Sequence, residues 1–200
     1  MNTSEIKQLL AELEQKRDRT IVIVDWANVE RWKESLGWEI DIQKLGKLVK
    51  HFASGKAFLR RFYYGADFGK STKSLILTPW SSMVLNKAKM NGFEVVTKRV
   101  KYIVDRNYST GYIKKCNLDI EMAMDLIREI ANYDVAVIFS GDGDLACVMK
   151  YLHDRFGKRF IVIGARGFVG AELYEALSQK SIEKILYASD FEYRLDRNRP

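Results

Sequence analysis

Short apolar runs alternate along the chain with segments in which apolar residues recur every three or four positions. The runs are typical of buried strands and lie at 21–24, 57–63, 93–97, 135–139, 160–164 and, more weakly, 185–187. The recurring segments predict helices near 41–52, 74–90, 118–130, 145–156 and 171–179. Strands that alternate with helices favour an α/β fold, a three-layer α/β/α sandwich whose mainly parallel central sheet has five to six strands.

The remaining segments divide the chain into one domain with two short additions. We expect an N-terminal helical extension over 1–19, with a helix from Ser4 to about Lys16, then a domain over 20–190 and a C-terminal tail over 191–200. The segment 32–38 is expected to be irregular. The polar, basic segment 98–111 is expected to be a loop.

Composition narrows the classes of function. Hydrophobic residues make up 47% of the chain, enough for a substantial core, and the net charge of +7 favours a polyanion such as nucleic acid or an anionic membrane surface. Two separated cysteines and two isolated histidines argue against a disulfide scaffold, a zinc ribbon and a Cys–His catalytic pair. The sequence has neither a long apolar run nor a signal-peptide pattern, so a cytoplasmic location is expected, with no membrane segment.

Acidic residues follow two of the predicted strands directly. Asp25 ends the first strand, and Asp142 and Asp144, separated by glycines, follow the strand at 135–139. Parallel strands end at one edge of a sheet, where ligands collect, so these three carboxylates should meet there. They would repel one another unless a cation lay between them, which predicts a divalent-metal site. Helix capping by these aspartates is the alternative interpretation.

The helix after Asn117 supplies further acids. Its predicted buried face consists of Ile120, Ala123, Met124, Ile127 and Ala131. That face places Asp119 at its edge and near the helix N-terminus, from which Asp119 can reach the carboxyl edge of the sheet. Asp125 lies on the far side of the helix from this face and is expected to be a supporting partner or a solvated charge.

Basic residues interleaved with tyrosines could contact phosphates while the rings stack on bases. The candidates are Arg99, Lys101, Lys114 and Lys115, in the segment that leads to Asp119. Arg166 is a further candidate phosphate contact. It lies in a segment, 164–170, whose glycine spacing differs from a dinucleotide-binding motif, so those glycines are interpreted as turn residues.

Three motifs together resemble a known family. Asp25-x-x-Asn28 after the first strand, Asp119 with Asp125 on a helix, and the Ser-Gly-Asp-Gly-Asp motif at 140–144 are similar to the NYN domain, in particular its LabA-like branch within the PIN-like nuclease superfamily. The resemblance implies metal-dependent hydrolysis of RNA with Mg²⁺ or Mn²⁺. Asp25, Asp119, Asp142 and Asp144 would bind the metal, with Asn28 positioning water or substrate and Ser140 orienting its motif.

Alternatives remain open at the level of sequence. Trp26 and Cys116 depart from residues frequent in the family, which would suit a non-catalytic RNA-binding or adaptor protein on the same fold. A small-molecule phosphohydrolase is a third class. Single-stranded RNA is the expected partner. A homodimer is also considered, because Trp32 and Trp38 are expected to be exposed and could form an interface.

Overall fold

The structure is a computed structural model that describes residues 4–5, 7–8, 11, 18–52, 58–105, 107 and 111–199. Most of the predicted N-terminal helix lies outside these residues. The five positions described within it have helical backbone and are exposed.

A six-stranded parallel sheet forms the centre of the described chain. In chain order, the strands of the described residues, including two outside this sheet, are β1 (Thr20–Asp25), β2 (Phe58–Ala66), β3 (Glu94–Arg99), β4 (Lys101–Val104), β5 (Tyr112–Lys115), β6 (Val135–Phe139), β7 (Arg159–Gly164) and β8 (Lys184–Tyr187). The sheet has the order β3-β2-β1-β6-β7-β8, and β4 and β5 form a separate antiparallel hairpin. The chain winds outward in opposite directions from β1 and β6, which makes the gap between them the topological switch point where such sheets bind ligands.

Helices cover both faces of the sheet. They are α1 (Trp26–Arg31), α2 (Lys33–Leu36), α3 (Ile42–Val49), α4 (Pro79–Met90), α5 (Asp119–Arg128), α6 (Ala146–Phe156), α7 (Ala171–Ser178) and α8 (Glu192–Leu195). Along β1, Val22 and Val24 face the core that contains α1, α3, α4 and α8, whereas Ile21 and Ile23 face the core beneath α5, α6 and α7. The predicted three-layer α/β/α sandwich is therefore confirmed.

Local capping explains several helix boundaries. Asp41 caps α3 by accepting a hydrogen bond of 2.9 Å from the backbone N–H of Lys44. The helix predicted from 74 begins only at Pro79, because Thr78 caps it and proline suits the first helical position. None of the helices in the described ranges combines the length and apolar character that a membrane crossing requires.

Two expectations about irregular segments are wrong. The segment after β1 continues through α1 and α2, and Trp32 between them is fully buried, with its indole N–H donating to Asn28 Oδ1 at 2.7 Å. Trp32 is therefore unavailable to a partner, and Trp38 packs partly buried against the core. The segment predicted as a loop over 98–111 contains the end of β3 and the first strand of the hairpin.

The predicted buried face of α5 is also wrong. Ile120, Met124 and Ile127 are among its exposed side chains, whereas Met122, Asp125 and Leu126 point inward. The helix has two apolar stripes, and the one that packs on the sheet includes Asp125. Its charge is balanced by Arg61 of β2 and Arg128 of α5.

The segment that was predicted as a C-terminal tail packs against the core. Phe191 and Leu195 are almost completely buried, and α8 packs on α3. The backbone bridge between Ile40 and Asp196 and the ion pair of Arg197 with Glu39, 2.8 Å long, fix the segment further.

Candidate metal centre

Three aspartates from three different elements meet at the switch point of the sheet. Asp25 ends β1, Asp142 follows β6, and Asp119 begins α5. One carboxylate oxygen from each lies within 4.8 Å of the other two. We call these residues the acidic triad.

Asp25 is the buried member of the triad, with 6% of its surface exposed. Its Oδ2 accepts a hydrogen bond of 3.0 Å from the Ser140 hydroxyl, and its Oδ1 accepts one of 3.3 Å from the Asn28 N–H as the cap of α1. Burial raises the pKa of Asp25 to about 6, and repulsion from Asp119 and Asp142 adds to the effect, although the two hydrogen bonds oppose it. A cation at this point would relieve both penalties on the charged form.

Asn28 joins the two strand ends. Its Oδ1 accepts hydrogen bonds from the Gly141 N–H at 3.0 Å and from the Trp32 indole at 2.7 Å. With the oxygen used in this way, the amide NH₂ is the group of Asn28 that remains for a ligand, and it is a donor. Asn28 is therefore suited to positioning a phosphate or a water rather than to ligating a metal.

The loop at 140–144, which we call the SGDGD loop, is braced by the segment predicted as a glycine turn. The N–H of Gly170 donates to the Gly141 carbonyl at 2.8 Å. A Cβ on Gly141 would lie 1.7 Å from the carbonyl oxygen of Phe168. The close approach of the SGDGD loop to the backbone of Phe168 therefore requires glycine at 141. This packing requirement is separate from the role of the loop in the site.

Asp142 and Asp144 occupy different positions in this loop. Asp142 is half-buried, and its Oδ1 accepts a hydrogen bond of 3.0 Å from the N–H of Asp144, while its own N–H donates to the Ser140 hydroxyl at 3.1 Å. Asp144 is exposed and lies outside the triad, although its charge still acts on Asp119. The two carboxylates are therefore not equivalent.

Asp119 approaches the triad from the first turn of α5. Its N–H donates to the side chain of Asn117 at 2.8 Å. Burial raises the pKa of Asp119, repulsion from Asp142 and Asp144 raises it further, and a hydrogen bond with Asn117 opposes the shift. The carboxylates at this edge of the sheet thus act on one another electrostatically.

The donor set fits a hard divalent cation. Mg²⁺ prefers oxygen ligands at about 2.0–2.1 Å, so ligands on opposite sides of it lie about 4.2 Å apart. The ligand oxygens of the triad all lie within 4.8 Å of one another, close enough for one cation to contact all three after small side-chain rotations. Three carboxylates without nitrogen or sulfur donors also favour Mg²⁺ or Mn²⁺ over zinc.

Asp125 lies apart from the triad. It is buried and accepts a hydrogen bond of 2.7 Å from the Tyr63 hydroxyl, and it pairs with Arg61 at 2.9 Å and with Arg128. These contacts show that it is not a solvated charge. Asp125 connects α5 to β2, and we find no contact between it and the triad among the described residues.

Three of the five basic candidates contact other groups of the protein. Arg99 donates to the carbonyls of Ser71 and Ser74, both at 2.9 Å. Lys114 pairs with Asp67 at 2.8 Å, and Arg166 stacks on Tyr187. Lys101 and Lys115 are exposed on the hairpin. Arg99 and Lys114 therefore organise the loop after β2 and the hairpin beside it.

Sequence reasoning missed two carboxylates at this edge of the fold. The Oε2 of Glu172 in the first turn of α7 lies 2.2 Å from where a Cβ on Gly143 would be. Glu30 is half-buried in α1, and burial raises its pKa. The position of Glu172 in the first turn of a predicted helix could have indicated it from the sequence. The burial of Glu30 depends on contact with α4, which no local sequence pattern indicates.

The fold and the triad define an α/β protein with a carboxylate centre at its switch point. The model of the NYN domain family matches residues 19–184, so the chain belongs to the NYN domain family, within the PIN-like nuclease superfamily.

Two individual proteins are similar to this chain. The chain is 33% identical over 85 residues to the low amplitude and bright protein LabA of Synechococcus elongatus, a match that covers 42% of this chain and 45% of LabA. The chain thus spans less than half the length of LabA. A solved Vibrio parahaemolyticus protein of unknown function shares the fold, with a TM-score of 0.62, 19% identity, and coverage of 86% of this chain and 94% of that one. The LabA-like resemblance is therefore confirmed.

Proposed function

We propose that the chain is a metal-dependent endoribonuclease that uses Mg²⁺ or Mn²⁺ to hydrolyse phosphodiester bonds of single-stranded RNA. The observation that carries the proposal is the convergence of Asp25, Asp119 and Asp142 within 4.8 Å at the switch point. Membership of the NYN family supports it independently.

The acidic triad would hold the ion. A bound Mg²⁺ or Mn²⁺ supplies Lewis-acid stabilisation of the charge that develops on phosphate and lowers the pKa of water at the site. Ser140 orients Asp25 through its 3.0 Å hydrogen bond, and the Asp144 N–H orients Asp142 in the same way. Ligands held by such secondary hydrogen bonds need little reorganisation when the ion binds.

Two further side chains would act on the substrate. The Asn28 amide, whose oxygen is fixed by Trp32 and Gly141, would donate its N–H to a phosphate oxygen. Asp144 is exposed beside the triad and would accept the proton of the attacking water at its carboxylate. Attack on phosphorus, with departure of the 3′ oxygen, leaves a 5′-phosphate on the downstream product.

Positive charge supports a polyanionic substrate. The chain carries a net charge of +7, and the hairpin that precedes α5 exposes Lys101 and Lys115. These side chains would contact the phosphates of the strand, while Arg99, Lys114 and Arg166 would act mainly by holding the surrounding segments. Such contacts make binding weaken as salt concentration rises.

Cleavage of end-labelled single-stranded RNA tests the proposal. We expect wild type to cut in Mn²⁺ or Mg²⁺ and to stop in excess EDTA, and we expect Asp142→Asn to bind the strand without cutting it. Turnover that is unchanged in EDTA would refute the metal-dependent mechanism. Binding without cleavage by both proteins, in either metal, would favour an RNA-binding adaptor instead.

A further inference from the structure

A cleft on the far side of α1 begins one residue after Asp25. It lies between α1, α4 and the segment before α3, and its lining includes Trp26, Glu30, Lys33, Trp80, Lys87 and Arg197. Its volume is about 50 Å³. Since one water needs about 10–15 Å³, the cleft has room for about four waters or for one edge of a planar base. We call it the tryptophan cleft.

Trp26 lines this cleft, and its indole N–H is buried without a partner among the described residues. The side chain is 5% exposed, stacks on Phe62 with ring centroids 5.2 Å apart, and its Nε1–H has no acceptor among the described residues. A buried N–H without an acceptor costs about 1–3 kcal/mol. An acceptor from a ligand would remove that cost.

Glu30 supplies the acceptor side of the cleft. It lies four residues after Trp26 and therefore on the same face of α1. Its carboxylate is half-buried and takes a hydrogen bond from Trp80, whose ring is 50% exposed. A carboxylate has acceptor positions for more than one donor, so the bond with Trp80 leaves room for others. The exposed part of the Trp80 ring offers a surface for stacking.

The cleft lining carries three cations, Lys33, Lys87 and Arg197, and three carboxylates, Glu30, Glu39 and Asp41. Lys33 and Arg197 share the carboxylate of Glu39, at 3.9 Å and 2.8 Å, and Lys87 is half-buried on α4. The aromatic surface and the carboxylate offer groups that can recognise a base, and Lys87 offers a cation that can contact a phosphate.

The orientation of α1 connects this cleft to the acidic triad. Asp25 caps the helix, Asn28 faces the SGDGD loop, and Trp26 with Glu30 faces α4 on the other side. A strand that crosses the start of α1 with a phosphate at the triad would bring a neighbouring base to the cleft.

We propose that the tryptophan cleft is a base-binding subsite for a nucleotide next to the cleaved phosphate, and that it prefers guanine. The inference rests on the proposed nuclease function. Only guanine has one acceptor beside two N–H donors on its Watson–Crick edge. Its O6 would accept from the Trp26 indole, and its N1–H and N2–H would donate to Glu30, while the ring stacks on Trp80.

Tryptophan fluorescence with GMP, AMP, CMP and UMP tests the subsite directly. We would use the Asp142→Asn protein in EDTA, so that the readout is independent of cleavage. GMP should quench the fluorescence and bind about tenfold more tightly than the other three, a difference of about 1.4 kcal/mol. Glu30→Gln should remove this preference, and Trp80→Phe should remove most of the quenching.

Two further variants separate recognition from folding. Trp26→Phe keeps the stack on Phe62 but lacks the N–H, so it should weaken GMP binding while the protein stays folded. Trp38→Phe changes a partly buried tryptophan that is absent from the cleft lining and should keep both the quenching and the preference for GMP. Equal affinity for the four nucleotides, or a preference that survives in Glu30→Gln, would overturn the subsite.

The same proteins distinguish failure of the subsite from failure of the nuclease function. If wild type cuts RNA in Mn²⁺ but cleavage sites show no base preference and do not respond to Glu30→Gln, the subsite is wrong and the nuclease proposal stands. If GMP binds as expected but wild type cuts no RNA, the cleft binds a base and the nuclease proposal is wrong.

Discussion

The hydroxyl of Ser140 lies 3.0 Å from Oδ2 of Asp25 and joins the ends of β1 and β6 across the switch point of the sheet. The hydroxyl oxygen of Ser140 also accepts a hydrogen bond of 3.1 Å from the N–H of Asp142. One small side chain therefore orients two members of the acidic triad. Its neighbour across the gap, Asn28, joins the same strand ends through the Gly141 N–H.

Removing the hydroxyl should weaken metal binding while leaving the carboxylates in place. We expect Ser140→Ala to lower Mn²⁺ affinity by about 10–100-fold, as for other residues that orient metal ligands. Calorimetric titration with Mn²⁺ measures the effect. Ser178→Ala, which removes an exposed hydroxyl on α7, is the matched control. Equal Mn²⁺ affinity in wild type and Ser140→Ala would contradict the role given to this hydrogen bond.

The burial of Asp25 should make the metal-free protein less stable as pH rises. Its pKa is raised to about 6 in the fold, against 3.8 for an ordinary aspartate, so the folded state favours the proton. The associated stability is fully present below about pH 4 and is lost as pH rises through about 6. We therefore expect Asp25→Asn to exceed wild type in stability by on the order of 3 kcal/mol at pH 7.5.

Urea unfolding in EDTA at pH 4.5 and pH 7.5 checks this prediction. The advantage of Asp25→Asn should be small at the lower pH and large at the higher one. The exposed Asp154→Asn reports the effect of removing a surface charge from the same protein. A difference between Asp25→Asn and wild type that does not change with pH would contradict the electrostatic account of the triad.

Gly141 should tolerate no side chain. A Cβ there would lie 1.7 Å from the Phe168 carbonyl oxygen, so the backbone of one segment has to move. We expect Gly141→Ala to cost about 3 kcal/mol or more by chemical denaturation. Gly157→Ala is the control, because Gly157 has a positive φ of 64° but open space, and should cost only about 1–2 kcal/mol. Similar losses for the two variants would show that the SGDGD loop is not tightly packed.

Asp125 should matter for folding. Its carboxylate pairs with Arg61 at 2.9 Å, and Arg61 is largely buried, so loss of the charge leaves a buried cation with fewer partners. Breaking a buried ion pair costs about 3–5 kcal/mol. For Asp125→Asn we expect the lower end, about 3 kcal/mol, because Glu129 still pairs with Arg61 at 2.7 Å. Urea unfolding measures the loss, and unchanged stability would contradict the structural role.

The edge of the sheet that carries the site could be predicted from sequence. The boundaries of β6 agree with the predicted strand, since a continuous apolar run ends abruptly at Ser140 and Gly141. The meeting of Asp25 and Asp142 followed from one rule, that parallel strands share their carboxyl edge. The strand boundary and the meeting of the two aspartates both follow from short sequence patterns, an apolar run and the acidic residue after it.

The predictions that were wrong concern side chains whose burial depends on residues distant in sequence. The orientation of α5 was set by Asp125, which is buried only because β2 supplies Arg61 and Tyr63. Trp32 is buried because it packs in the core that the sheet forms with α3, α4 and α8. Helical periodicity does not show which of two apolar stripes is buried when the orientation of the helix depends on a buried charge and its ion pairs with other elements.

The most direct test of the central claim compares two aspartates on one helix. Cleavage of single-stranded RNA in Mn²⁺ should be lost in Asp119→Asn, a member of the triad, and retained per folded molecule in Asp125→Asn, which is six residues further along α5. That result would place the chemistry at the triad and show that cleavage is not lost merely because the fold is destabilised. Equal cleavage by wild type and Asp119→Asn would contradict the assignment of the triad as the catalytic metal centre.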